Sequence, residues 1–157
     1  MRIGITGHRR LPDDVAAQVK QELRARLEGV NSADLVAISC IADGPDNWWA
    51  ELALDAGGRL EVVLPATEYC EGLPSEFHAG YDRLLGRAVE VHRTGLTEST
   101  SEAHQAGSEI LVGLSDHLLA VWDGLPARGF GGTADVVKYA HEVGVPVTVI
   151  WPAGATR

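Results

Sequence analysis

Apolar residues follow two alternating rhythms along this chain. Compact runs at residues 2–6, 35–40, 60–64, 118–122 and 145–150, with a more polar one at 89–92, predict strands. A near-continuous apolar run is what a strand covered on both faces requires. Between the runs, apolar residues recur at the period of a helix with one buried side. Val15, Val19, Leu23 and Leu27 make such a side after the helix start Pro12-Asp13-Asp14, and Trp49, Leu52, Ala53 and Ala56 make another, ended by Gly57-Gly58. Further helices are predicted from Ser75-Glu76-Phe77, through Ala106, Ile110, Leu111 and Leu114, and over residues 133–143. The Thr- and Ser-rich stretch 94–101 reads as mobile, and Trp48-Trp49 as one ring in the core and one outside. Strand and helix alternate throughout. That predicts right-handed crossovers, a mostly parallel sheet and helices on both faces, within one domain over residues 1–157.

Three glycine-bearing loops follow predicted strands, and in a parallel sheet such loops gather at the carboxyl edge, where small ligands bind. In the first, Thr6 offers a hydroxyl, Gly7 permits close approach and Arg9 can grip a phosphate or carboxylate, with His8 beside them. His8 as a base lacks a partner identifiable in sequence. In the second, Asp43 and Gly44 precede Pro45 and Asp46. Asp43 is placed to accept from ribose hydroxyls or simply to make a turn, while Asp46 reads first as a helix cap. The third runs from Asp123-Gly124 through Arg128, Gly129, Gly131 and Gly132 to Thr133, which opens a helix and reads as its cap, its neighbours presenting N–H groups to an anion. Pro65, after the third strand, lines the expected pocket wall. Neither the P-loop nor the dinucleotide glycine spacing is present, so ATPase and standard dehydrogenase readings fail. Ser39 has no nucleophile-elbow context, and Cys40 reads as a small core residue.

Composition changes this picture little, and charge somewhat more. At 45% apolar and 22% charged residues the chain is ordinary for a globular protein. A net charge of −9 predicts no nucleic-acid and no membrane partner, through long-range repulsion of polyanions. Two distant cysteines, no apolar stretch of membrane-spanning length and a start that enters a strand directly make the cytoplasm the expected location. The six histidines are scattered and read mostly as surface residues; no metal-ligand spacing is recognised. No cofactor is called for beyond a nucleotide ligand.

Taken in order, residues 4–9, 42–46, 60–65, 115–124 and 131–133 resemble the SLOG superfamily, the Rossmann-like group that includes LOG proteins, DprA and YpsA-like proteins. The resemblance covers nearly the whole chain. It implies a Rossmann-like three-layer α/β/α fold, a nucleotide-type ligand and homodimerisation. LOG proteins release a base from nucleoside monophosphates, using a glutamate in P-G-G-x-G-T-x-x-E and an arginine on the preceding helix. Here Val136 stands at the glutamate position, with Asp135 adjacent, and Gly107 stands near the arginine position. The expected function is therefore binding of a nucleotide or nucleotide-derived anion, as a sensor or an unassigned enzyme. The alternative is an N-glycosidase using Asp123 or Asp135, and an oligomerising scaffold is a third reading.

Overall fold

The computed structural model describes residues 1–157. Strands and helices alternate: β1 (Arg2–Gly7), α1 (Asp13–Leu27), β2 (Val36–Ser39), α2 (Pro45–Asp55), β3 (Arg59–Leu64), α3 (His78–Arg87), β4 (Glu90–Arg93), α4 (Ser101–Leu114), β5 (His117–Val121), α5 (Thr133–Val143) and β6 (Val147–Ile150). All strand pairs are parallel, in the order β4-β3-β2-β1-β5-β6. The α2 helix packs on β1–β3 and against α1 and α3, while α4 and α5 pack on each other and on the sheet. This is the three-layer Rossmann-like arrangement the alternation predicts. The chain steps outward from β1 through β4, then returns to start again at β5 on the other side of β1. Such a reversal opens a crevice at the carboxyl edge.

The core explains the patterns. Every residue of β2 is buried, and Val15, Val19 and Leu23 of α1 face the sheet. In α2 the buried side is Trp49, Ala50 and Ala53, so Ala50 takes the place expected of Ala56, which is exposed just after the helix ends. Trp49 is fully enclosed, its indole N–H donating to the Ile3 carbonyl at 3.1 Å, whereas Trp48 lies outside with Lys20 Nζ 4.8 Å from its ring centre. At the edge of the sheet β4 is only half-covered, which is why its sequence is the most polar.

Three local expectations need correcting. The N-cap of α2 is Gly44, at φ +92°, followed by Pro45 at the first helical position, so Asp46 lies inside the first turn and is not the cap. Gly132 occupies the corresponding place in α5, and Thr133 makes no capping hydrogen bond. The stretch 94–101 is tied down: Thr94 Oγ1 donates to Pro65 O at 2.5 Å, and Leu96 and Thr97 carbonyls accept from Thr67 and Glu68 N–H groups at 2.9 and 3.0 Å. Thr100 then caps α4 by accepting from Ala103 N–H at 3.1 Å. No helix is long and apolar enough to cross a membrane.

Candidate functional site

The loops after β1, β2, β3 and β5 converge on one cavity of about 400 Å³ at the carboxyl edge. That volume lies in the range of small-molecule sites. Its base is apolar, from Ile5, Leu73, Leu111 and Val136, and its rim is polar or cationic. Of the residues singled out in sequence, Thr6, Gly7, His8, Arg9, Asp46, Pro65, Arg128, Gly129, Gly131, Gly132 and Thr133 all line it. Asp43, Gly44, Asp123, Gly124 and Asp135 do not.

Each of the outlying carboxylates has a structural partner instead. Asp43 Oδ1 accepts from Arg9 Nε at 2.7 Å, which fixes Arg9 at the mouth. Asp135 Oδ2 accepts from Gly131 N–H at 2.9 Å and so ties the glycine loop to the first turn of α5. Asp123, only 5% exposed at its side chain, accepts from Leu125 N–H at 2.9 Å and pairs with Arg157 Nε at 2.8 Å and His8 Nε2 at 3.2 Å. Burial pushes its pKa up, but the Leu125 and His8 hydrogen bonds, with the His8 and Arg157 charges, outweigh this and leave the carboxyl below its ordinary value and ionised. It stands behind the cavity wall, where it orients other groups; neither it nor Asp135 faces the space in which a sugar would lie.

Asp46 is the carboxylate that does face that space. Its Oδ2 accepts from Ala42 N–H at 3.3 Å, and its backbone carbonyl accepts from Ser39 Oγ at 2.9 Å. Burial, reinforced by Asp43, pushes its pKa up to about 7 against the pull of the Ala42 hydrogen bond and Arg9. Near neutral pH it is thus both donor and acceptor. Burial also pushes up the neighbouring Cys40 thiol, so this cysteine is not a thiolate. Between them, Ile41 is forced to φ +48°, a strained backbone for a β-branched residue. Strain of this kind persists only where surrounding contacts over-determine it, and it clusters at functional loops.

Tight spacing holds the glycines in place. A Cβ on Gly7 would stand 2.8 Å from Val121 and 3.0 Å from Pro45. At Gly131, φ is +84° and a Cβ would meet the Ser101 carbonyl at 2.7 Å. Gly107, near the place of the LOG-type arginine, lies against Pro65, where a Cβ would come within 3.0 Å, and Val136 presents an apolar side chain to the cavity. Both charged positions of the hydrolytic pair are therefore filled by packing.

Several lining residues carried no usable signal in the sequence. Arg157 reaches back from beyond β6, donating to Pro126 O at 3.1 Å while its Nη1 lies 3.1 Å from His8 Nδ1. Its Nε, though close to Asp123, is not aligned for a hydrogen bond and has no other partner. His104 pairs with Ser99 Oγ at 2.8 Å and stands edge-on to Tyr69, and burial together with Arg9 lowers its pKa. Of the six histidines, His141 is exposed, His78, His92, His104 and His117 are half-buried, and His8 is buried. Sequence distance hides these partners: Arg157 and His8 are brought together by the fold alone.

No protein-family model matches the sequence, and no curated protein matches it. Solved structures do match its fold. DNA processing protein A (DprA) from Helicobacter pylori aligns over 99% of this chain and 68% of its own at 16% identity, with a TM-score of 0.72. DprA from Streptococcus pneumoniae aligns over 98% of this chain at 18% identity and TM-score 0.69, and this chain spans about half (51%) of it. The molybdenum cofactor binding protein of Rippkaea orientalis aligns over 94% of this chain and 74% of its own at 19% identity and TM-score 0.60. The chain thus shares the Rossmann-like fold of these proteins. Proteins built on it bind quite different molecules, and one consequence is a correction. The H. pylori protein binds single-stranded DNA, so an acidic net charge does not exclude a nucleic-acid partner for this fold. Net charge averages over the whole surface, whereas binding depends on local charge, and here Arg9, Arg128 and Arg157 collect around one cavity.

Proposed function

We propose that this protein binds a nucleotide or nucleotide-derived anion in the carboxyl-edge cavity, as a sensor or as an enzyme of unassigned reaction. The observation that carries this reading is the convergence of three arginines, the glycine loop before α5 and an apolar base on one cavity. In it, Gly7, Gly131 and Gly132 let the backbone approach a phosphate, Arg128 supplies charge, and the apolar base accommodates a ring. Asp46 replaces Asp43 and Asp123 as the carboxylate able to reach a sugar or base. Molybdenum cofactor and single-stranded DNA, bound by proteins of the same fold, both carry phosphate, which favours an anion site as the shared element.

The N-glycosidase alternative is weakened by Gly107 and Val136, because neither the charge nor the space for it is present at those positions. Thermal-shift measurements with AMP, NAD and ADP-ribose test binding: a ligand at about 100 times its Kd stabilises by about 2.7 kcal/mol. The same mixtures assayed for free base test hydrolysis. Binding without base release is the expected result; no shift with any compound overturns the proposal and leaves the scaffold reading.

A further inference from the structure

His8, Arg157 and Arg128 make an arrangement that goes beyond a generic anion pocket. His8 lies in the cavity wall, 8% exposed, with Trp151 edge-on to its ring at 5.7 Å. Asp123 Oδ1 stands 3.2 Å from Nε2 and Arg157 Nη1 stands 3.1 Å from Nδ1. A guanidinium can only donate. Nδ1 faces this donor, while Nε2 faces both the Asp123 backbone N–H, which donates to it at 3.2 Å, and Asp123 Oδ1, so both ring nitrogens of the neutral histidine meet a donor. Burial lowers the His8 pKa; the Asp123 hydrogen bond opposes this, and the positive charges of Arg157 and Arg128 add to it. The groups that bear on His8 are thus Asp123 and Arg128 from the loop after β5 and Arg157 from the segment after β6.

Charge accounting then distinguishes between ligands. Arg9 is matched by Asp43 and Arg157 by Asp123, while Arg128 lines the cavity with no carboxylate partner. One unmatched positive charge suits a singly charged anion. Burial does most to keep His8 neutral, and the charges of Arg157 and Arg128 add to it. A doubly charged anion beside these two arginines would cancel their repulsion and draw a proton onto His8, making it the second cation.

Resting on the reading above, we propose that His8, Arg128 and Arg157 form a proton-coupled subsite selective for a dianionic terminal phosphate over the singly charged phosphate of a diester. The shared chemistry is a phosphomonoester, carried by a free nucleotide or by the end of a nucleic-acid strand. Arg157 changes partners on binding: the protonated ring has no lone pair to accept from it, and it turns to the anion.

Inorganic sulfate is the primary probe, since it is a dianion that does not titrate near neutral pH. Titration of the His8 ring by NMR, with and without saturating sulfate, should show a pKa raised by about one unit when sulfate is bound. Methyl sulfate, a monoanion, should bind at least about tenfold more weakly at pH 6. In His8→Asn, sulfate should still bind but lose its tightening on acidification. Competition at pH 7.5 among AMP, an oligodeoxynucleotide with a 5′-phosphate and the same strand without it separates the two sources. Sulfate binding with an unmoved His8 pKa overturns this inference while leaving the cavity reading intact. Absence of binding by sulfate, AMP and both strands overturns both.

Discussion

Two clusters of the same residue types lie toward opposite ends of the sheet, and their fates differ. Toward the amino end, Arg2 makes a paired hydrogen bond to Glu61 at 2.8 and 2.9 Å, and His92 Nε2 meets Glu61 Oε1 at 2.8 Å. Toward the carboxyl end, His8, Asp123 and Arg157 repeat the trio. In the first, both oxygens of one carboxylate are committed to cations, and the Arg2 hydrogen bonds lead the effects that hold the Glu61 pKa down to about 2. Glu61, Glu90 and His92 lie close enough together to ligate a metal, but the Arg2 guanidinium already fills that role. In the second, a neutral His8 ring, Asp123 and Arg157 border a cavity to which Arg128 adds a cation with no carboxylate partner. A satisfied trio stabilises; an unbalanced one beside a hollow is available to a ligand.

The sharpest way to break this comparison is Glu61→Ala. It leaves Arg2 and His92 facing each other without their carboxylate and should cost about 2 kcal/mol in urea unfolding, allowing for solvent screening at Arg2. It should leave anion binding unchanged. Because folding lowers the Glu61 pKa from its usual 4.5, its contribution is full above that value and is lost as pH falls towards about 2. Wild-type stability should decline through that window, and Glu61→Gln should flatten the decline.

Gly131→Ala should come next in size. The left-handed φ and the Ser101 carbonyl at 2.7 Å leave no place for a methyl group without moving the loop. Destabilisation of about 1–2 kcal/mol is expected, with a disproportionate loss of ligand-induced thermal shift. Arg128→Gln should leave stability within about 0.5 kcal/mol, since Arg128 is exposed and unpaired, yet weaken anion binding about tenfold by titration calorimetry. Asp43→Asn should be the mildest, releasing Arg9 and lowering affinity only a few-fold. Equal losses from Glu61→Ala and Arg128→Gln in both assays would erase the distinction between the two trios.

The fold was legible because its signal is periodic and local. The continuous apolar run at β2 and the four-residue spacing in α1 each follow from burial of one element against its neighbours. The loops toward the cavity were legible for a related reason: glycines after apolar runs mark the carboxyl edge. Partnership was not legible. Asp123 and His8 are separated by more than a hundred residues, and only the adjacency of β1 and β5 joins them. Asp46 was read as a cap because Asp near a helix start usually caps; Gly44-Pro45 took that position and freed the carboxylate for the cavity. Charge misled most, because an acidic total hides arginines gathered at one place.

The contact between Gly107 and Pro65 constrains which side chains that point of α4 can carry. A long cationic side chain at that point of α4 would be driven into the proline ring that follows β3, so no single exchange places a charge there without moving Pro65. At least two coordinated replacements, one in the helix and one after the strand, would have to arrive together. Any laboratory route towards hydrolysis therefore starts by enlarging the space beside Pro65, before charge is introduced.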